Sequence, residues 1–371
     1  MCEIVTCYCC GDEIDIDDAD KVEGEYVCED CYDDETFECE CCGDRIFDKN
    51  RVSDGYTMIC EYCYDNHYYR CEECECLIHD EDVSWIDDDY PYCRQCYDKI
   101  RDSYAIKSYG YKPKPIFYKR SNENSVRYYG VELEIDDGGQ DDDNAKEILE
   151  TANSCETLMY AKTDGSLSDG MELVSHPCSI NFHRNSFPWN DILEEAVELD
   201  YNSHYAGTCG LHVHIGRAEL GETPEKQDEV IGRIMFFFES HWNEMVKFSR
   251  RTAKQLGEWA ARRGYQAQPA NILDDAKKKR YERYTCVNIA PSDTVEIRIF
   301  RGTLKFNTFI AALEMVDSIC ENAVKLTDEE IQRQSWGDFV TAIDPAYTEL
   351  IQYLKEKRLY INEPVLVEAE V

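Results

Sequence analysis

A chain of 371 residues with 43% hydrophobic content has room for two or three domains and at least one sizeable core, which excludes wholesale disorder. It contains no run of about 18 apolar residues, so no membrane span is expected. Met1-Cys2-Glu3 lacks the basic and apolar opening of a secretory signal, so a cytoplasmic location is expected.

The formal net charge is −38, and residues 1–100 alone hold 31 Asp+Glu against 7 Lys+Arg. A surface this acidic repels nucleic-acid phosphates and anionic membranes, so neither is an expected partner. The same segment holds 16 of the 21 cysteines. Twelve of these form a repeat with a 32-residue period: Cys7, Cys10, Cys28 and Cys31; Cys39, Cys42, Cys60 and Cys63; Cys71, Cys74, Cys93 and Cys96. Each unit reads C-x2-C, 17 or 18 residues, C-x2-C, and the second pair leads into Tyr-Asp. A C-x2-C turn offers two thiolates to one metal ion, and two such turns complete a tetrahedral site. Three structural Zn²⁺ are expected, with an iron–sulfur cluster second and a disulfide framework disfavoured by reducing surroundings. Units of this size cannot build a core, so the metal supplies the folding energy. Cys2, Cys9, Cys41 and Cys76 fall outside the repeat, and His67 and His79 read as spare surface residues. The repeats, at about 7–32, 39–64 and 71–97 within a 1–100 domain, resemble zinc-ribbon or LIM-like fingers, whose usual partners are proteins.

Residues 101–125, with Tyr104, Tyr109, Tyr111, Pro113 and Pro115, read as an extended linker. A second domain is expected over 126–330. In it, three strand patterns each carry a polar pair two residues apart: Glu132 and Glu134, His212 and His214, Glu296 and Arg298. Strand side chains alternate faces, so each pair points one way and its apolar neighbours the other. Carboxylates, imidazoles and an arginine on one open face make a place to hold metal ions and phosphates. Between these strands lie a loop over 136–144, a helix over 145–152, a strand over 170–177 with Glu172 as its carboxylate, and a helix over 189–199. Two helices are expected over 225–262, a helix from about 307 to 323, and one helix with an extended end in the 331–371 segment. Lys247 to Arg283 is the basic stretch. It reads as a solvated face, as phosphate contacts for a nucleotide, or as a docking surface for the acidic repeats. His176, His183, His204 and His241 read as structural, and Cys155, Cys178, Cys209, Cys286 and Cys320 as small buried residues.

The ordered motifs are G-V-E-L-E-I (130–135), K-T-D-G-S-L (162–167), G-M-E-L-V-S-H-P (170–177), C-G-L-H-V-H-I (209–215) and T-V-E-I-R-I-F-R-G-T-L (294–304). Together they resemble the amidoligase family, ATP-dependent carboxylate–amine ligases related to glutamine synthetase and glutamate–cysteine ligase. The resemblance covers about residues 126–325. It implies an α+β fold, a glutamine-synthetase-like antiparallel sheet funnel with flanking helices, and Mg²⁺ or Mn²⁺ between ATP and the acyl substrate. Carried over by residue, Glu132, Glu134, His212 and Glu296 resemble metal and cofactor ligands, and Glu172 a further carboxylate. Arg298 resembles the arginine that neutralises the transferring phosphoryl group. Lys162, Asp164 and Arg301 fit substrate or phosphate positioning, and His214 is placed to face ATP. Members are common in phages, which would put this chain in a host cytoplasm.

Three functions remain open from the residues. The first is an ATP-dependent ligase acting through an acyl phosphate on a peptide or protein recruited by the fingers. The second is a protein-binding adaptor on an inactive ligase-like scaffold, and the third a metallohydrolase built on the H-x-H pair.

Overall fold

The computed structural model describes residues 3–86, 89–124, 127–279 and 283–360. Cys2, residue 126, Arg280 and the extended end expected at 361–371 lie outside them. The chain divides into two compact units, Met1–Tyr104 and Ala105–Val371.

In the first unit each repeat is two hairpins followed by a helix. Ile4–Thr6 pairs with Glu13–Asp15 and Asp20–Val22 with Glu25–Val27, ahead of the helix Glu29–Asp34. The second repeat has the same order and ends in the helix Glu61–His67; the third ends in Arg94–Ser103. The first C-x2-C pair lies in the first hairpin's turn, and the second pair joins the second hairpin to the helix. The turns close with Gly11 N–H to Cys7 O, Gly43 N–H to Cys39 O and Glu75 N–H to Cys71 O. Those three residues take φ of 83°, 75° and 59°, so the third repeat puts a glutamate where the others use the residue best suited to the left-handed region. The apolar clusters are small; that of the second repeat is Phe37 and Ile59 with three of its own cysteines.

The second unit is built on an eight-stranded sheet with helices against it. Its strands are β1 (Ile106–Lys107), β2 (Tyr128–Ile135), β3 (Met159–Lys162), β4 (Met171–Ser175), β5 (Cys178–Ser179), β6 (Gly210–Gly216), β7 (Val287–Asn288) and β8 (Thr294–Arg301). The order is β1-β3-β4-β2-β6-β8-β7, with β5 beside the start of β2. Neighbours are antiparallel except β1 with β3, so the sheet is mixed, not wholly antiparallel as expected.

The parallel strand comes from the supposed linker. Residues 105–118 are tied to the sheet by the β1–β3 pairing, by Ala105 N–H to Asp142 at 2.6 Å and by Tyr118 N–H to Pro177 O. A two-residue strand is too short to show a pattern in sequence.

The helices are α1 (Asp142–Ala152), α2 (Ile180–Asn185), α3 (Trp189–Glu198), α4 (Pro224–Ser240), α5 (Trp242–Ser249), α6 (Ala253–Trp259), α7 (Pro269–Lys278), α8 (Phe306–Lys325), α9 (Asp328–Arg333), α10 (Trp336–Ala342) and α11 (Thr348–Glu356). Residues 224–259 thus form three helices instead of two, because Arg250 at φ 62° turns the chain out of α5. The segment after 330 is no separate appendage: α11 packs on α8, where Leu350 N–H reaches the buried Glu314 at 2.7 Å.

Apolar alternation fixes which face the sheet buries. Val131, Leu133 and Ile135 on β2, Leu211, Val213 and Ile215 on β6, and Val295, Ile297 and Ile299 on β8 are all at most 1% exposed. These nine side chains pack with α8, most of which is itself buried. At about 1.5–3 kcal/mol per buried aliphatic side chain, this layer is ample to fix the register. It thereby fixes the direction in which every intervening polar side chain points.

Candidate active site

The register converts sequence spacing into three cross-strand rows on the opposite face. In the first, Lys162 on β3 stands opposite Glu172 on β4, and Glu172 opposite Glu134 on β2. In the second, Glu132 on β2 faces His212 on β6. In the third, His214 faces Glu296 on β8, and Glu296 faces Asn288 on β7. Directly opposed residues have Cβ atoms about 4.5–5.5 Å apart, so the rows necessarily bring these groups into contact. Arg298, two residues past Glu296 on β8, lines the same pocket.

The rows line an open pocket of about 1190 Å³. His212 is its centre. Its Nδ1 lies 3.5 Å from Glu132 and 3.7 Å from Glu296, and its Nε2 lies 3.8 Å from Glu134. His214 Nε2 is 3.4 Å from Glu132, while its Nδ1 is 3.0 Å from the Thr294 hydroxyl. Lys162 Nζ is 2.9 Å from Glu172 and 3.8 Å from Glu132. Arg298 Nη1 pairs with one Glu296 oxygen, and the Asn288 side-chain amide donates to the other at 2.7 Å. Gly210 leaves room for this approach, since a Cβ on it would lie 2.4 Å from Arg251 Nη2 and 2.6 Å from His212 Nε2 and would push these side chains aside.

The charges are uneven. Burial opposes ionisation of Glu132, but His214 and His212 outweigh it and hold this carboxyl well below the usual range. Burial likewise opposes Glu296, and His214, His212 and Arg298 bring it down. Glu172 goes the other way: burial and then the Glu132 charge hold it well above the usual range, against the pull of Lys162. Burial would lower His214, yet Glu132 raises it. One region of the pocket thus presents ionised carboxylates to a cation, and beside it stands a carboxyl that needs a cation to ionise.

Two ligand triads result: Glu132, His212 and Glu296, and Glu134, Glu172 and His212. Within each, one donor atom per residue lies within 4.8 Å of the others. Oxygen ligands about 2.1 Å from Mg²⁺ sit about 3 to 4.2 Å from one another, so the spacing suits such an ion. Four carboxylates and one imidazole are a hard donor set, better suited to Mg²⁺ or Mn²⁺ than to zinc.

The pocket gathers every expected site residue of this domain except Arg301, which lies in a small neighbouring cavity with Arg250. Asp164 is in the wall, where its carboxylate accepts from Ser166 N–H at 2.7 Å and shapes the loop after β3. Sequence reasoning missed several lining residues. Arg251 comes from the basic stretch, and burial brings it down to about 10 against the pull of Glu134. Trp259 and Tyr284 flank Arg298, whose Nε reaches Trp259 O at 3.4 Å and whose guanidinium lies 5.8 Å from the Tyr284 ring centre. Tyr109, from the supposed linker, sits 5.6 Å from Lys162 Nζ. Arg251 and Arg283 had a signal in the basic stretch; Asn288, on a two-residue strand, had none.

A second cleft, of about 940 Å³, is built around Arg127 and Asp317. Arg127 binds Asp317 and Glu321, and Asp317 also accepts from Tyr129 and Tyr347. It has the character of a structural network. Among the remaining cysteines Cys155 is exposed, not buried as expected. His176, His183 and His241 are buried, and His183 bonds to the Tyr129 carbonyl and the Trp189 ring N–H.

The first unit contains three further groups that could hold a metal ion. The first two are the expected sets, Cys7, Cys10, Cys28 and Cys31, and Cys39, Cys42, Cys60 and Cys63. In the third the clustered thiols are Cys71, Cys74, Cys76 and Cys93, with Cys96 also against Cys71, Cys74 and Cys93. Cys76 is therefore a fifth thiol of this site, because the turn after Cys74 carries it back toward the pair. Backbone N–H groups prepare the leading cysteine of each set. Burial opposes them, but Cys7 and Cys71 are brought to about 6 and Cys39 to about 7. Such thiols are thiolates near neutral pH, the form that binds metal.

No family profile and no curated protein matches this chain. Among solved structures it is similar to a bifunctional glutathione synthetase from Pasteurella multocida, at 11% identity and TM-score 0.34, over 62% of this chain and 46% of that one. It is also similar to the complex of the prokaryotic ubiquitin-like protein Pup and its ligase PafA, at 11% identity and TM-score 0.28, over 62% and 58%. The chain thus spans about half the length of these neighbours, and overlap at such scores does not define a shared fold. Among the described residues no helix is long and apolar enough to cross a membrane.

Proposed function

We propose that the chain is an ATP- and Mg²⁺-dependent ligase that joins a carboxylate to an amine through an acyl phosphate. The observation that carries this reading is the pair of triads sharing His212, flanked by Lys162 on one side and Arg298 on the other. A carboxylate does not condense with an amine at neutral pH, because its oxygen is a poor leaving group. Attack of the carboxylate oxygen on the γ-phosphorus of ATP expels ADP and leaves an acyl phosphate. The amine then attacks the acyl carbon and inorganic phosphate leaves.

Such chemistry asks for positioning and charge neutralisation more than for a nucleophilic side chain. Glu132 and Glu296 would hold one Mg²⁺ and Glu134 and Glu172 a second, with His212, whose neutral ring has a single free nitrogen, completing one of the two sites; the ions would offset phosphate charge. Arg298, oriented by Glu296 and Trp259, faces the same space and supports the transferring group. Lys162 and Asp164 form the wall at which the acyl group is oriented. Asn288 holds Glu296 in its ligating orientation, and Thr294 holds His214.

The three cysteine sites are read as structural zinc centres whose surface recruits a peptide or protein substrate, raising its concentration at the pocket. Loss of the second zinc in Cys39→Ser should then raise KM for that substrate and leave KM for ATP unchanged; an unchanged substrate KM refutes recruitment. Calorimetry with ATP and Mg²⁺ tests the pocket itself. Binding that disappears in Glu132→Ala supports the ligase; failure of the intact protein to bind ATP favours an adaptor.

A further inference from the structure

The three repeats build the same metal-binding turn, with one difference. In each, the N–H of the first cysteine bonds to the carbonyl five residues on: Cys7 to Asp12 at 2.8 Å, Cys39 to Asp44 at 2.9 Å and Cys71 to Cys76 at 3.0 Å. Cys76 therefore occupies the place of Asp12 and Asp44. In the first repeat that carboxylate accepts from Cys10 Sγ at 3.4 Å, a hydrogen bond with a ligand sulfur. In the third repeat a thiol stands there instead, within 4.8 Å of the sulfurs of Cys71, Cys74 and Cys93.

Four thiols suffice for one tetrahedral zinc. Cys74 and Cys93 are 3.8 Å apart, the sulfur–sulfur separation that zinc–sulfur bonds of about 2.3 Å impose. With Cys71 and Cys96 they complete the set that the other repeats use, which leaves Cys76 as a free thiol against the ligands. Cys74 is exposed, whereas Cys71 and Cys96 are buried. Cys10 and Cys42 are exposed too, but the residue two positions on is an aspartate, which forms no disulfide. Cys9 and Cys41 stand between the ligands of their own turns and belong to neither group of clustered donors.

We propose that the third repeat is a site of reversible oxidation by peroxide, in which Cys76 closes a disulfide on Cys74 and the zinc is released. The Cys74 thiolate attacks one peroxide oxygen. An S–O bond forms, the O–O bond breaks, and the departing hydroxide takes a proton from solvent to become water. Cys76 then attacks the Cys74 sulfur. The S–S bond forms, the S–O bond breaks, and the hydroxide that leaves takes the Cys76 proton to become a second water. The two sulfurs give up two electrons in total, and one peroxide is reduced to two waters. Cys71, Cys93 and Cys96 alone are one ligand short of a closed site. The buried core of this repeat is Cys71, Ile78 and Cys96, so it loses its fold with its metal. This oxidation presupposes zinc in the cysteine groups and does not depend on the ligase chemistry.

The full chain, loaded with zinc, is treated with limiting hydrogen peroxide, and released zinc is followed with a chromogenic chelator. One zinc per chain is expected to leave ahead of the other two, together with a disulfide between Cys74 and Cys76 located by tandem mass spectrometry. A dithiol reductant and added zinc should restore the original content. Cys76→Asp, which installs the residue of the other repeats, should keep all three zinc and lose the early phase. Should that variant fail to hold the third zinc, Cys76→Ser decides in its place; loss of that zinc from both shows that Cys76 is a required ligand and overturns the proposal. An untreated native chain with fewer than three zinc refutes the zinc reading and this proposal together. Three zinc released at one common rate, or an early phase that persists in the Cys76 variants, overturns this proposal alone.

Discussion

Replacing Lys162 by methionine tests whether the pocket is an assembly of carboxylates held together by cations. The side chain is 10% exposed, and its Nζ lies 2.9 Å from Glu172 and 3.8 Å from Glu132. At an effective dielectric of about 20 these separations correspond to gross attractions of roughly 6 and 4 kcal/mol. The net value is much smaller, because the buried ammonium has lost several kcal/mol of hydration. Glu172 limits the loss further. Its carboxyl is already held well above the usual range by burial and the Glu132 charge, so removing Lys162 moves it further toward its protonated form. Methionine fills the same volume, so no cavity forms. We therefore expect a loss of about 3 kcal/mol, the lower end for breaking a buried pair. The loss should grow as pH rises and Glu172 must ionise unpaired. Urea unfolding followed by circular dichroism reads this directly, and added Mg²⁺ should recover part of the loss by supplying the missing charge. Stability within about 0.5 kcal/mol of native, the usual range for a neutral surface change, would refute the reasoning.

Burial pushes Glu314 up to about 7 from an ordinary value of 4.5, against the Leu350 N–H and Arg184. A carboxyl raised in the fold contributes stability that is full below pH 4.5 and is lost as pH rises through 7. Native protein should thus lose about 3 kcal/mol across that window relative to Glu314→Gln; parallel pH profiles of the two would contradict this. Metal analysis should find three zinc per chain. The third should survive Cys76→Ser or Cys96→Ser singly, because five thiols surround that site and either loss leaves four; loss of zinc in either single variant would show that no thiol is spare.

Much of the candidate site was legible because β-sheet register follows from alternation. Glu132, His212 and Glu296 are 164 positions apart at the extremes, yet each sits at the same phase of an apolar strand, and burial of the apolar phase forces all three to one face. Cysteine spacing was legible for a similar reason, since one turn geometry imposes it. What escaped was set by contacts with no local period. Asn288 matters only because a two-residue strand lies beside Glu296. Tyr109 reaches the pocket only because Ile106 and Lys107 pair with β3, and Cys76 joins the third cluster because it stands where the same turn carries Asp12 and Asp44 in the other repeats. The last helices were illegible as separate elements, since α9 and α10 are each under two turns long. Arg301 shares a motif with Arg298 but not its surroundings: beyond the register shift its side chain enters the cavity of Arg250.

The most direct measurement of the central claim is ADP release by the purified full-length protein, supplied with ATP, Mg²⁺, a panel of carboxylate peptides and hydroxylamine as the amine. The account predicts ADP and a stable hydroxamate in equal amounts, both reduced on the order of 10²-fold or more in Glu132→Ala and Arg298→Ala. ATP turnover that persists in Glu132→Ala, or ADP release without hydroxamate, would contradict it.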